Sequence, residues 1–234
     1  MTLSTQAWLL GALCGVLLVA QACEQKLSWE AHMAAGKKAE EQGHYAEAEK
    51  HLKAGLREAE TFDSQDPRLA TSLNNLAAFY YAQERHVDAL PLYRRALARG
   101  EKALGPEHPD LARDVNNLAV LYYAQGRYAE AEPLYQRALA IREAALGPKD
   151  PEVAQGLNTL AALYGAQGRH DDAESLYQRA LAIYEKALGP DHPQTAKTLE
   201  NYAALLRNAR RATEAEKLEA RAKVIRSKQR KSES

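Results

Sequence analysis

The sequence predicts an all-α protein assembled from stacked helix pairs. Three observations lead there. Ala, Leu, Glu, Arg and Tyr dominate while Val, Ile and Thr are sparse, which favours helix over sheet. A segment recurs without gaps every 42 residues. Within each copy, apolar residues fall at the spacing of one helix face.

The three clearest copies are LNNLAAFYYAQERHVDALPLYRRALA from Leu73, VNNLAVLYYAQGRYAEAEPLYQRALA from Val115 and LNTLAALYGAQGRHDDAESLYQRALA from Leu157. A weaker copy starts at Leu199. A divergent first copy ends in GHYAEAEKHLKAGL and is offset by 41 residues from the next. In the copy from Val115, Val115, Leu118, Ala119 and Tyr122 mark one helix face. Ala131, Leu134, Tyr135 and Ala138 mark a second, with Gly126-Arg127 at the turn between them. Ala89, Ala131, Ala173 and Ala215 are equivalent and small, as a close approach between helices requires.

Between pairs lie the joints ALGPEHPDLA, ALGPKDPEVA and ALGPDHPQTA. Gly105, Gly147 and Gly189 follow the end of a helical pattern, where glycine tolerates a left-handed backbone, and Pro106, Pro148 and Pro190 prevent continuation. Pro67, Pro109, Pro151 and Pro193 suit the first turn of the next helix, preceded by Asp66, His108, Asp150 and His192 as N-caps. On this reading His108 caps the helix that Pro109 begins. Asp150 fills the slot of His108, so the histidine needs no metal to explain it. His86, Tyr128 and His170 likewise share one slot that calls for a ring.

The spacing Val115, Leu118, Ala119, Tyr122, Ala131, Tyr135, Ala138 resembles the tetratricopeptide repeat. The 42-residue length, LNNLA, AEPLYQRALAI and the LGP joints more specifically resemble the kinesin-light-chain type, which also occurs widely in bacterial proteins. The likeness covers about Trp29 to Ile225. It implies a right-handed α-solenoid of about five antiparallel helix pairs, with neighbouring pairs burying faces that one pair cannot bury alone. The expected divisions are 27–66 for a divergent first repeat, then 67–108, 109–150 and 151–192. A capping repeat over 193–226 and a disordered basic tail over 227–234 complete the chain.

Residues 1–22 form a separate object. Ala7 to Ala20 is apolar and no charge precedes Glu24, a length that suits a signal-peptide core better than a bilayer span. The cysteines are Cys14 and Cys23, so the repeats hold no disulfide or thiolate metal site. VAQAC resembles a bacterial lipobox. That resemblance implies cleavage before Cys23, lipid on Cys23, and anchorage in a bacterial envelope. Cleavage after Ala22 by an ordinary signal peptidase would give a secreted or periplasmic form instead. An uncleaved anchor and a misassigned start are the remaining alternatives.

Lys plus Arg and Asp plus Glu are both 31, which argues against a nucleic-acid protein held by phosphate charge. No HExxH, paired CxxC, GxSxG or phosphate-cradling glycine motif occurs, so no catalytic residue, metal, cofactor or small-molecule substrate is expected. The expected partner is a protein or peptide. Asn74, Asn116 and Asn158 are equivalent and share a helix face with Tyr81 and Tyr123; Arg113 and Lys197 extend it. The fold resemblance puts this face on the concave wall. Asparagine costs a helix up to about 0.7 kcal/mol against alanine. Its use also at Asn75, Asn117 and Asn201 therefore implies a compensating interaction. Two readings stand: a ladder of amides that binds a peptide backbone, or amides that bridge neighbouring repeats. A scaffold that binds a protein segment in the groove is expected; the alternative is an assembly subunit that uses convex faces or repeat ends.

Overall fold

The computed structural model describes residues 27–63 and 66–232. The expected signal segment and Cys23 lie outside the described residues. Ten α-helices and no strand occur among the described residues: α1 Trp29–Glu41, α2 Tyr45–Ala59, α3 Pro67–Ala82, α4 His86–Leu104, α5 Leu111–Ala124, α6 Tyr128–Leu146, α7 Pro151–Ala166, α8 His170–Ala187, α9 Pro193–Asn208 and α10 Ala212–Ser232. They form two compact units, divided between Thr61 and Phe62.

The first unit is the pair α1–α2. Ala39, Ala48, Leu52 and Ala59 are buried between the helices. Gly36 lets them approach: a Cβ there would lie 3.0 Å from Leu52. The His32 and His51 rings face each other across the pair, Nδ1 to Nδ1 at 3.1 Å.

The second unit stacks α3 to α10 as four helix pairs, each helix packing on the next. Within every pair the turn has the same chemistry. The backbone N–H groups of Arg85, Arg127, Arg169 and Arg211 donate to the carbonyls of Tyr80, Tyr122, Tyr164 and Leu206, closing the helix end as in a Schellman motif. The residue before each arginine has positive φ; Gly126, at +70°, is one of them. The side chains of Arg85, Arg127 and Arg169 then lie 3.7–4.5 Å from the ring centres of Tyr80, Tyr122 and Tyr164. The cation stacks on the quadrupole of a buried phenol while Arg127 also pairs with Glu130 at the start of α6.

The four equivalent alanines, Ala89, Ala131, Ala173 and Ala215, are all 0% exposed. Between repeats, Arg137 bonds Glu101, Arg179 bonds Glu143 and Arg221 pairs with Glu185, each at 2.6 Å. These partly exposed pairs fix register more than they add stability.

The joints depart from expectation in two ways. Gly105 and Gly147 do not adopt the left-handed helical conformation. Both have φ 86° with ψ 156–157°, an extended mirror region open essentially to glycine alone. The second departure is at His108. Asp66, Asp150 and His192 are N-caps, accepting from Arg68, Glu152 and Gln194. His108 Nδ1 accepts from the Asp110 N–H at 3.3 Å in the same manner, but α5 begins at Leu111 rather than Pro109. The Leu111 and Ala112 N–H groups bond the His108 and Pro109 carbonyls, three residues back, so Pro109–Asp110 form a tight turn before the helix.

The basic tail also differs. It was expected to be disordered over 227–234, yet α10 continues to Ser232. Ile225 is buried, and one turn later Lys228 Nζ bonds Asp191 at 2.7 Å while Gln229 donates to the Asp191 carbonyl. The next joint upstream thus holds the helix end.

Candidate functional site

The first helix of each pair carries the asparagines, and the structure separates them into two sets. Asn74 is 8% exposed and its Nδ2 donates to Asp114 Oδ1 at 3.0 Å, from α3 to α5. Asn158 Nδ2 donates to Thr198 Oγ1 at 2.9 Å, from α7 to α9. Both bonds join residues 40 apart, two short of the repeat. At these two positions the bridging reading describes what the side chain does. Asn116 would meet Gly156 in the same relation, and glycine offers it no side chain. A Cβ on Gly156 would come within 3.1 Å of Leu139 and 3.4 Å of Arg142, so Arg142 of α6 occupies that space.

Asn75 is exposed, and Asn117 and Asn201 are half-buried. Asn116 and Asn158 are half-buried too, so what sets Asn75, Asn117 and Asn201 apart is that they make no bridge of the Asn74 or Asn158 kind. Arg113 and Lys197 are exposed as well. Tyr81 and Tyr123 are half-buried against the ring of the following helix: Tyr81 stacks on His86 with centroids 5.6 Å apart, and Tyr123 packs on Tyr128 at 5.5 Å. That contact gives the His86 slot a ring partner in the first two of the three clear copies. In the third copy Gly165 replaces the tyrosine and Leu205 packs close to it.

Two clefts open along this face. One, about 530 Å³, lies between the N-terminal halves of α3 and α5 beside the end of α4, and includes Asn74, Arg113 and Asp114. The other, about 200 Å³, lies between α7 and α9 and brings together Asn158, Lys197 and Asn201. Tyr93, buried in α4, has its phenol pushed up to about 12 by burial, with Tyr81 and Asp114 adding to the shift.

Asp114 was not singled out from the sequence. Its equivalents are Ser72, Gly156 and Thr198, and it alone is charged. It is 7% exposed, and burial raises its carboxyl above the ordinary 3.8 despite opposing contributions from Arg113 and Asn74. The sign follows. A carboxyl with a raised pKa in the fold contributes stability that is complete below 3.8 and is lost as pH rises through the folded value. Asp114→Asn should therefore gain on wild type as pH rises from 3.8 through the folded value, and the difference should then stay level. Urea midpoints of the two proteins across that range check this; parallel curves would contradict it.

Among the described residues no group of three or more His, Cys, Asp or Glu side chains is placed to hold a metal ion, and no helix is long and apolar enough to cross a membrane.

Comparison with known proteins fits this geometry. The tetratricopeptide repeat model matches three overlapping stretches, residues 68–144, 114–186 and 152–225. Among solved structures, BtubC (BKLC) from P. vanneervenii is 27% identical with a TM-score of 0.77, over 86% of this chain and 80% of that one. A Podosopora anserina protein of kinesin-light-chain type, with nearly identical TPR-like repeats, is 26% identical with a TM-score of 0.74, over 86% of this chain and 95% of that one. MamA from Desulfovibrio magneticus RS-1 shares the fold at 15% identity and a TM-score of 0.62, over 89% of this chain and 99% of that one. No curated protein matches the sequence. With helix pairs, three-residue turns and family matches running from residue 68 to residue 225, the chain belongs to the tetratricopeptide repeat family, whose stacked-helix fold is of the protein-interaction scaffold type.

Proposed function

We propose that this protein is a non-catalytic scaffold that holds a peptide or protein segment against the face formed by α3, α5, α7 and α9, and that lipid on Cys23 tethers it to a bacterial envelope membrane. The observation that carries the binding reading is the division of labour among the asparagines. Asn74 and Asn158 each commit Nδ2 to the neighbouring repeat and keep only Oδ1 unpaired, whereas Asn75, Asn117 and Asn201 make no such bridge and keep both donor and acceptor. An amide both donates and accepts, so such a row suits an extended backbone. Tyr81 and Tyr123 add apolar area with a polar tip. Cys23 stands in the lipobox-like VAQAC, and a diacylated, N-acylated cysteine would anchor the chain far more firmly than one acyl chain does.

One experiment addresses both parts: crosslinking in the native envelope, with wild type, Asn75→Ala/Asn117→Ala and Cys23→Ala compared. Wild type should capture a partner in the membrane fraction. The double variant should stay folded and lose capture, and Cys23→Ala should leave the membrane fraction. A stoichiometric complex indifferent to the double variant would instead support the assembly-subunit reading. Membrane retention of Cys23→Ala would remove the lipid tether.

A further inference from the structure

The cleft between α3 and α5 has a polarity that the amide ladder does not explain. Asn74 and Asp114 are both more than nine-tenths buried at its wall. The orientation of the Asn74 amide is fixed, because an ionised carboxylate only accepts and must therefore face Nδ2. That leaves Asn74 Oδ1 buried with no protein group in hydrogen-bonding reach. Asp114 keeps its second oxygen, since both of its contacts, with Asn74 and with Arg113, are made at Oδ1. Asp114 and Asn74 thus offer unspent capacity only as acceptors.

The nearest cation uses that capacity only in part, since it opposes the effect of burial on Asp114 without overcoming it. Arg113 Nε stands 3.8 Å from Asp114 Oδ1, and its side chain is 75% exposed, so it remains largely solvated. The cleft's other two arginines are engaged elsewhere: Arg99 reaches the Asp66 carbonyl, and Arg142 interacts with Glu152. A buried carboxylate facing one amide and a loosely held arginine has lost more hydration than its contacts return. Ser72, Gly156 and Thr198 show that the fold does not need a charge at this position.

We propose that the α3–α5 cleft is a subsite for an arginine side chain of the bound partner, whose guanidinium donates to Asp114 and Asn74 Oδ1. Two adjacent acceptors suit a planar fork of N–H donors better than a single ammonium point. This deepens the groove-binding reading by naming one chemical feature of its ligand. It also makes Arg113 a competitor: the internal cation must give way as the ligand enters.

The test uses N-acetyl-arginine methylamide, its neutral isostere N-acetyl-citrulline methylamide and the corresponding glutamate compound. Each is titrated into the full chain in physiological salt and followed through the Asn74 side-chain amide resonances. Saturable binding of the arginine probe is expected, at least tenfold weaker for citrulline and absent for glutamate. Asp114→Asn, which keeps the shape and an acceptor for Asn74, should weaken the arginine probe at least tenfold. Arg113→Ala should tighten it. Equal binding by Asp114→Asn, weaker binding by Arg113→Ala, preference for glutamate or no saturable binding would each overturn the subsite. Because the probe replaces the partner, such a failure leaves partner capture on the groove separately measurable.

Discussion

Leu157→Ala is expected to lower the free energy of unfolding by about 2–5 kcal/mol, the usual range when a buried leucine loses its isobutyl group. Leu157 is 0% exposed and lies in α7, in the middle of the helix-pair array. Its place matters as much as its burial. In a solenoid each repeat is held only by its neighbours, so stability is roughly a sum of repeat terms and interface terms. A cavity in the third of four pairs weakens coupling on both sides. The urea transition should therefore shift to lower concentration and also broaden, as the two ends begin to unfold separately. Val87, which is 85% exposed, supplies the control: Val87→Ala should fall within about 0.5 kcal/mol of wild type. A Leu157→Ala midpoint equal to that of Val87→Ala would mean that the array is not coupled through this position.

The repeat made most of the fold readable, since one pattern seen several times separates what a position needs from what one residue happens to be. The slot filled by His86, Tyr128 and His170 is an example. Its requirement for a ring is visible in the alignment, and packing against Tyr81 and Tyr123 gives the reason at His86 and Tyr128, while His170 faces Gly165 and keeps the ring without that partner. The joint glycines were legible as helix ends, but their mirror-extended conformation was not, because sequence gives a demand for glycine without saying which glycine-only region is used.

The site was less legible, for a geometric reason. Residues compared at a period of 42 are equivalent, but the asparagines that bridge repeats touch residues 40 positions on. Asn74 therefore lines up with Asn116 while it touches Asp114. A face drawn from equivalent positions collected Asn74, Asn116 and Asn158 as one set. The structure divides them according to what stands at the neighbouring position: a carboxylate, a glycine or a threonine. The column Ser72, Asp114, Gly156, Thr198 held the missing signal, a single charge where three relatives have none. The tail escaped for another reason. Composition marks 227–234 as basic and polar, but helix phase brings Lys228 and Gln229 to Asp191 once Ile225 is buried.

Ala131→Leu is expected to cost about 1–3 kcal/mol, and here the sign decides more than the size. A leucine adds apolar area, and wherever space allowed it that area would stabilise at roughly 25 cal/mol per Å² buried. Leucine is also nearly as good a helix former as alanine, so propensity offers no penalty. Destabilisation can then arise only from packing. Ala131 is 0% exposed in α6, as are Ala89, Ala173 and Ala215 at the equivalent places, and the helices there have closed to the distance a methyl group sets. A larger side chain must push them apart or leave its rotamer well. Ala129, two residues earlier on the opposite, exposed side of α6, isolates the effect: Ala129→Leu should be close to neutral. A gain in stability from Ala131→Leu would show the helices to be loosely apposed at the position that sets the spacing of every pair.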